Sequence, residues 1–249
     1  MEKYKNILIV GTSHISKQSI VRLKESFKEH KPEIVCLELD SGRYSSLMQN
    51  KKRSFNPRII SIVGVKGYLF AIIGGVVQKF LAKKTGMVPG IDMKTASHLA
   101  KKDKAQILLI DQNINITLRN FSKKISKIDK KNFRFDLLWG IITSIIGKNL
   151  FMKLKLKPNL KHKIINRLSH PTSELFNIKD IPNSDVVEKL IGTVKKLYPS
   201  VYKILIHDRN KFMATNLHNI SLKFPDKNIL AVVGAGHVSG MIELLNKYE

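Results

Sequence analysis

Two short segments near opposite ends of the chain each place a histidine three residues after a glycine. The first is Gly11-Thr12-Ser13-His14 and the second is Gly234-Ala235-Gly236-His237. Each follows an apolar, β-branched run typical of a buried strand and leads into a stretch with helical character. Histidines in this position lie at the carboxyl ends of strands, where open α/β sheets bind ligands. If the two strands are neighbours, both imidazoles could serve one site.

Carboxylates follow the other predicted strands. Glu38 and Asp40 end the apolar run that begins at residue 33, and Asp111 follows a run at residues 106–110. Two imidazoles and one carboxylate form a set that can hold a divalent transition metal with open positions. Water bound at an open position becomes a nucleophile near neutral pH. The pattern therefore predicts a hydrolytic metal centre, with the alternative that each histidine belongs to a polar loop that caps the next helix.

Two arginines are placed to assist such a centre. Arg43 comes shortly after Glu38 and Asp40, and Arg209 lies in a long predicted helix. Either could hold a substrate carbonyl or carboxylate, or stabilise an oxyanion. A salt bridge to a strand-end acid is the competing interpretation for both.

Asp92 and Asp111 stand near predicted helix starts and also have two interpretations. Each could be the N-cap of the following helix, which we favour, since aspartate is a preferred N-cap residue. Alternatively, each could orient a histidine from behind or contact the substrate. The same supporting or substrate-binding role is expected for Asp40.

Composition and element order predict an α/β fold with a mostly parallel central sheet flanked by helices. The chain has 249 residues with 43% hydrophobic content, which suits one domain over residues 1–249 with helical insertions around residues 55–88 and 133–182. The single Cys36 excludes an internal disulfide and a cysteine-based zinc site. A strand begins almost at the first residue, so no signal peptide of the usual form is recognised, and a cytoplasmic protein is expected.

The charge is strongly basic. Lys and Arg number 44 against 19 Asp and Glu, which gives a net charge of +25. Such a balance favours nucleic acid or an anionic membrane surface as partner, or reflects a compositional habit of the source organism. Nucleic acid is the least favoured partner, because the lysines are spread along the chain and aromatic residues make up only 7%.

An apolar run at Ile59–Leu81 approaches a membrane span in length, but it contains Lys66 and several glycines. A second apolar run covers residues 137–146. A core or subunit-interface role is favoured, which would suit a homodimer. Peripheral contact with a membrane surface is the next interpretation, and a true span is the least favoured. The glycines favour a helical hairpin for the first run.

Six groups of residues match, in order, the motifs of the TraB/PrgY family, which is related to the Tiki proteins and the erythromycin-esterase-like enzymes. They are Gly11-Thr12-Ser13-His14, Cys36-Leu37-Glu38-Leu39-Asp40 with Arg43, Pro89-Gly90-Ile91-Asp92-Met93, Ile110-Asp111 with Thr117-Leu118-Arg119, Asp208-Arg209-Asn210 with Met213, and Val232-Val233-Gly234-Ala235-Gly236-His237 with Gly240. They extend over nearly the whole chain, which therefore resembles this family.

The resemblance implies a function as well as a fold. The Tiki branch looks like a metal-dependent peptidase that favours manganese or cobalt, with zinc as an alternative, and the PrgY branch goes with inhibition or removal of a peptide pheromone at a membrane. By analogy, His14, Glu38 and His237 would be metal ligands or catalytic groups, and Arg43 and Arg209 would hold substrate. We expect a metal-dependent hydrolase of a peptide or amide. The alternative is a non-enzymatic peptide-binding protein at the membrane surface.

Overall fold

The computed structural model describes residues 1–12, 17–49, 57–85, 88, 90–133 and 184–248. Its strands form one five-stranded sheet. The strands are β1 (Glu2–Tyr4), β2 (Ile7–Thr12), β3 (Ile34–Leu37), β4 (Gln106–Leu109) and β5 (Ile229–Gly234). Their order in the sheet is β1-β2-β5-β3-β4; β1 is antiparallel to β2, and all other neighbouring pairs are parallel.

Helices connect the strands and cover the sheet. They are α1 (Lys17–His30), α2 (Ser41–Met48), α3 (Ile60–Thr85), α4 (Ile91–Lys102), α5 (Ile114–Lys124), α6 (Ser184–Leu197), α7 (Pro199–Tyr202), α8 (Asp208–Lys223) and α9 (Ala235–Leu245). A π-helical segment, Lys203–His207, joins α7 to α8, 3-10 turns cover Pro57–Ile59 and Asn246–Tyr248, and residues 127–133 are also helical. The predicted α/β fold is confirmed.

Apolar residues alternate between the two faces of the sheet, as the pleat requires. One face carries Ile7, Ile9, Cys36, Ala231 and Val233 and packs against α8 and α9. The other face carries Val10, Val35, Leu37, Leu230 and Val232 and packs against α1 and α4. The sheet is therefore the middle layer of a three-layer fold.

The two strands that precede the Gly-x-x-His segments are adjacent. In the pairing of β2 with β5, Gly11 lies opposite Val233 and Thr12 lies opposite Gly234. The two motif glycines are thus offset by one residue at the same edge of the sheet. A side chain at Gly11 would lie 2.8 Å from Cγ2 of Val238, so this glycine lets α9 start close against β2.

The first apolar run forms one long helix with a break, and the hairpin expectation for it is wrong. The break is at Gly64, whose φ of 76° and ψ of 160° are not helical. At Gly67 a side chain would overlap the carbonyl oxygen of Leu118, and the rings of Phe70 and Phe121 stack with centroids 4.0 Å apart. The glycines of α3 thus allow close packing against α5. The second apolar run, residues 137–146, lies outside the described residues.

No helix in the described part of the chain is long and apolar enough to cross a membrane.

Candidate functional site

Three of the polar side chains that the sequence singled out lie together at the carboxyl edge of the sheet. Glu38 follows β3, Asp111 follows β4, and His237 lies in the first turn of α9 after β5. All three are buried. His14 and Ser13 lie outside the described residues, although Thr12, at the end of β2, is placed at the same edge.

Glu38 is held from three directions. Its backbone N–H donates to the carbonyl of Val232 at 3.1 Å, and its Oε2 accepts from the N–H of Gly234 at 2.6 Å. Its Oε1 accepts from Nη2 of Arg209 and lies 3.3 Å from Nε2 of His237. Burial raises the pKa of Glu38, but His237, Arg209 and the Gly234 N–H together hold it well below its usual value. Glu38 is therefore an ionised carboxylate at neutral pH.

His237 has a defined partner at each ring nitrogen. Its Nδ1 lies 2.5 Å from Oδ1 of Asn210, and its Nε2 lies 3.1 Å from Nη1 of Arg209. A carbonyl oxygen only accepts and a guanidinium only donates, so a neutral ring carries its proton on Nδ1 and accepts at Nε2. The lone pair of Nε2 thus points into the cluster that contains Glu38.

Arg209 links the strand-end carboxylates. Besides Glu38, it donates from Nε to Oδ1 of Asp111 at 3.2 Å and from Nη2 to Oδ2 of Asp111 at 2.6 Å. Burial lowers the pKa of the Arg209 guanidinium, but Glu38 and Asp111 more than offset this and raise it above its usual value. Arg209 is the second residue after the π-helical segment, a feature often found at functional sites.

Arg43 and Asp40 extend the cluster toward solvent. Asp40 is the N-cap of α2, and its Oδ1 accepts from the backbone N–H of Arg43 at 3.0 Å. The Arg43 side chain donates from Nε to Oδ2 of Asp40 at 2.6 Å and from Nη2 to Asp111. Burial raises the pKa of Asp40, but these bonds from Arg43 and the N–H of Ile114 leave it below its usual value. The Arg43 side chain remains 22% exposed, so it forms the outer rim.

Neither Asp92 nor Asp111 is the N-cap that we favoured from the sequence. Gly90 occupies the N-cap position of α4 and Asn113 that of α5. Asp92 is the second residue of α4, in its first turn, where it is fully buried and accepts from Oγ1 of Thr12 at 2.6 Å. Asp111 follows the last residue of β4 by two positions, and its side chain pairs with Arg43 and Arg209. Both therefore support the carboxyl edge of the sheet.

The linked side chains carry a net negative charge. Three carboxylates, Glu38, Asp40 and Asp111, face two guanidiniums, Arg43 and Arg209, so one negative charge is left when His237 is neutral. A buried excess charge of this kind favours a bound cation.

A divalent metal would fit part of this cluster. Oε1 of Glu38 and Nε2 of His237 are typical donors, and the contact of Nδ1 with Asn210 is the kind of outer partner that metal-bound histidines use. Within the described residues no group of three His, Cys, Asp or Glu side chains is arranged to hold a metal. The third donor predicted from the sequence, His14, lies outside those residues. The guanidinium of Arg209, which contacts both donor atoms, would have to move aside.

Sequence reasoning missed two contributors to the site. Asn210 was recognised only as part of a matching motif, and the Gly234 N–H only as backbone. Their partners, His237 and Glu38, are 27 and 196 positions away. The only sequence feature that could have indicated a role for Asn210 in the site was its position next to Arg209.

Comparisons with known proteins identify the family of the chain. A sequence profile described as the TraB/PrgY/gumN family matches residues 2–249. An uncharacterized protein of Methanocaldococcus jannaschii is 30% identical over 250 residues, which cover 98% of this chain and 54% of that protein. The chain thus spans about half the length of this relative. Because the profile extends over essentially the whole chain, the resemblance drawn from the motifs is confirmed, and the chain belongs to the TraB/PrgY/gumN family.

Proposed function

We propose that the chain is a metal-dependent hydrolase of peptide or amide bonds, with its centre at the carboxyl edge of β2, β5 and β3. The observation that carries this proposal is the buried pair of Glu38 and His237, with Oε1 and Nε2 3.3 Å apart. The carboxylate is ionised and the imidazole has an outer partner that leaves Nε2 facing it. A pair of this kind can bind a metal ion or move a proton.

His14, Glu38 and His237 would hold the metal, with manganese or cobalt favoured by the family and zinc as an alternative. When bound, the ion would supply Lewis-acid activation of a water molecule. The negative charge of the surrounding cluster supports this choice, since a cation would balance it. The pairing of β2 with β5 supports it too, since Thr12, two residues before His14, lies opposite Gly234, three residues before His237.

The arginines would bind the substrate. Arg209 has two bonds to Asp111, so it can release Glu38 and His237 and still stay at the site. From there its guanidinium can stabilise negative charge that develops on a carbonyl oxygen. Arg43 lies at the rim, partly exposed, where it suits a carboxylate of the substrate.

The test is hydrolysis of a peptide library, followed by mass spectrometry, with manganese or cobalt added. Glu38→Gln and His237→Ala are each expected to lower turnover by at least about 100-fold. His98→Ala is the matched control, because His98 is an exposed histidine of α4. Turnover that survives both site substitutions, or that falls equally in the control, would contradict the proposal.

A second candidate is a peptide-binding protein without turnover that contacts an anionic membrane surface. A specific surface of α3 favours it: Ile62, Val65 and Leu69 are 54%, 60% and 52% exposed. Residues 57–85 contain no acidic residue. The pKa of Lys130 is lowered mainly by the charge of nearby Lys66, so basic groups gather beside this surface. Exposed aliphatic side chains among lysines suit the interface of an acidic bilayer.

Vesicle sedimentation tests this second candidate. The triple substitution Ile62→Ser, Val65→Ser and Leu69→Ser is expected to abolish binding to vesicles that contain phosphatidylglycerol, and Leu222→Ser, a change at a residue 59% exposed on α8, is not. Binding of a peptide by the wild type without its cleavage would support the peptide-binding part of this candidate. A change from dimer to monomer in the triple variant, measured by light scattering, would instead identify the surface as a subunit interface and contradict the membrane proposal.

A further inference from the structure

Asn210 belongs to one of the matching motifs, but its contact with His237 was not predicted from the sequence. It is 3% exposed, and its Oδ1 lies 2.5 Å from Nδ1 of His237. Arg209, the preceding residue, reaches the other ring nitrogen at 3.1 Å. Consecutive residues of α8 thus contact both nitrogens of one imidazole on α9.

The two contacts require the same tautomer. Oδ1 of Asn210 can only accept, which requires a proton on Nδ1 of His237. Nη1 of Arg209 can only donate, which requires a lone pair on Nε2. The opposite amide orientation would present Nδ2 of Asn210 to Nδ1 and would place the ring proton on Nε2, where it would face the guanidinium. A neutral ring therefore meets both contacts in one tautomer only. In that tautomer the positive guanidinium of Arg209, which contacts Nε2 and also Glu38, offsets the repulsion between the Nε2 lone pair and Oε1 of Glu38, 3.3 Å away.

Gly240 provides the space that this arrangement needs. It lies three residues after His237, so both are on the same side of α9. A side chain at Gly240 would overlap Nδ2 of Asn210. Asn210 could then keep its place only by shifting away from His237. Glycine at residue 240 and asparagine at residue 210 therefore depend on each other.

We propose that Asn210, admitted by Gly240, is the positioning residue that holds His237 in the Nδ1-protonated tautomer with Nε2 directed at Glu38. The value of this arrangement for catalysis rests on the function proposed above. The arrangement itself does not, because it is a property of the protein without metal or substrate. Asn210 acts through His237 and does not itself touch the reacting atoms.

The test is ¹⁵N nuclear magnetic resonance of the histidine side chains in the metal-free protein. Spectra are taken at increasing pH until the His237 signals stop changing, so that the neutral ring is observed. A His237→Ala spectrum identifies the signals of His237 among the eight histidines. We expect the wild type to show a protonated Nδ1 and an unprotonated Nε2.

Three variants and a control complete the design. Asn210→Leu and Gly240→Ala should each convert the His237 signals to a mixture of tautomers. Asn210→Asp keeps an acceptor oxygen at this position and should retain the Nδ1-protonated form. Gly192→Ala is the control, because a side chain there would have nothing within 4 Å. A mainly Nε2-protonated wild type would overturn the proposal even if no variant folds. An unchanged tautomer in both Asn210→Leu and Gly240→Ala would overturn it as well.

The outcome is independent of the hydrolase proposal. The expected tautomer without any hydrolysis would contradict the proposed function alone. Hydrolysis together with the wrong tautomer would contradict the positioning role alone.

Discussion

Arg209→Gln is the substitution whose effect the structure predicts in most detail. The side chain of Arg209 is 15% exposed and bonds two carboxylates, Glu38 and Asp111. It also donates to the carbonyl of Leu205 at 3.3 Å. Glutamine keeps some hydrogen bonding but removes the positive charge between the two acids.

The expected loss of stability follows from the burial of those acids. The side chains of Glu38 and Asp111 are 6% and 1% exposed, so little water can replace the guanidinium. Deleting one partner of a buried ion pair costs about 3–5 kcal/mol of unfolding free energy. Glutamine can still donate a hydrogen bond to one of these acids, which offsets part of the loss. We therefore expect a loss of about 3 kcal/mol near neutral pH.

The loss should shrink in acid. The folded-state pKa of Glu38 is depressed, so its contribution to stability is complete above the unfolded-state pKa and is lost as the pH falls through the folded-state pKa. In Arg209→Gln the folded-state pKa of Glu38 rises, because burial remains and a cation is gone. As the pH falls, Glu38 is therefore protonated first in the variant, which removes its unpaired buried charge, and only at lower pH in the wild type, which then loses its ion pair with Arg209. The difference in unfolding free energy should narrow between about pH 7 and about pH 4.

Urea denaturation followed by circular dichroism measures this difference. Lys203→Met is the matched control, since it removes a solvent-exposed ion pair to Asp208 from the preceding π-helical segment. Exposed pairs of this kind contribute at most about 1 kcal/mol. The reasoning is refuted if Arg209→Gln loses no more stability than the control. It is also refuted if its loss is the same at both pH values.

Two further substitutions, each paired with a control substitution, test the support of the site by Thr12 and the packing of α3. Thr12→Val removes the 2.6 Å hydrogen bond to buried Asp92 and should lower the unfolding free energy, measured by urea denaturation, by about 1–3 kcal/mol. Thr12→Ser keeps the hydroxyl and should retain most of the wild-type stability. Equal losses in the two variants would contradict the role of the hydroxyl. Gly64→Ala meets both a φ of 76° and an overlap with Oγ of Ser122, so it should lower the unfolding free energy by about 1–3 kcal/mol. Gly192→Ala, in open space on α6, should raise it by up to about 1 kcal/mol. Thermal unfolding that shows the same sign for both glycine substitutions would contradict this account of α3.

Local patterns were sufficient for the elements that position the site. The apolar runs before Gly11 and Gly234 became β2 and β5, and three of the polar residues that follow predicted strands, Glu38, Asp111 and His237, lie at one edge of the sheet. Buried parallel strands have continuous apolar runs, and polar residues at their ends have few other places to lie. The short strand β1 was missed, because three residues that pair on one side only carry no apolar run.

The partners of the site residues could not be predicted in the same way. Arg209 meets Glu38 across a sequence separation of 171 positions, and Asn210 meets His237 only because α8 and α9 cover the same face of the sheet. Such contacts are set by how helices pack and not by any local spacing. For the same reason Asp92 and Asp111 looked like helix caps, although burial and neighbouring donors give both a different role.

The central claim, one metal centre shared by the two Gly-x-x-His segments, is tested most directly by metal binding. Manganese and cobalt affinities are measured by isothermal titration calorimetry for the wild type, His14→Ala, His237→Ala and, as control, the exposed His98→Ala. The account predicts near-stoichiometric binding in the wild type and the control, lost in both His14→Ala and His237→Ala. A folded wild type that binds neither metal, or binding that survives either site substitution, would contradict it.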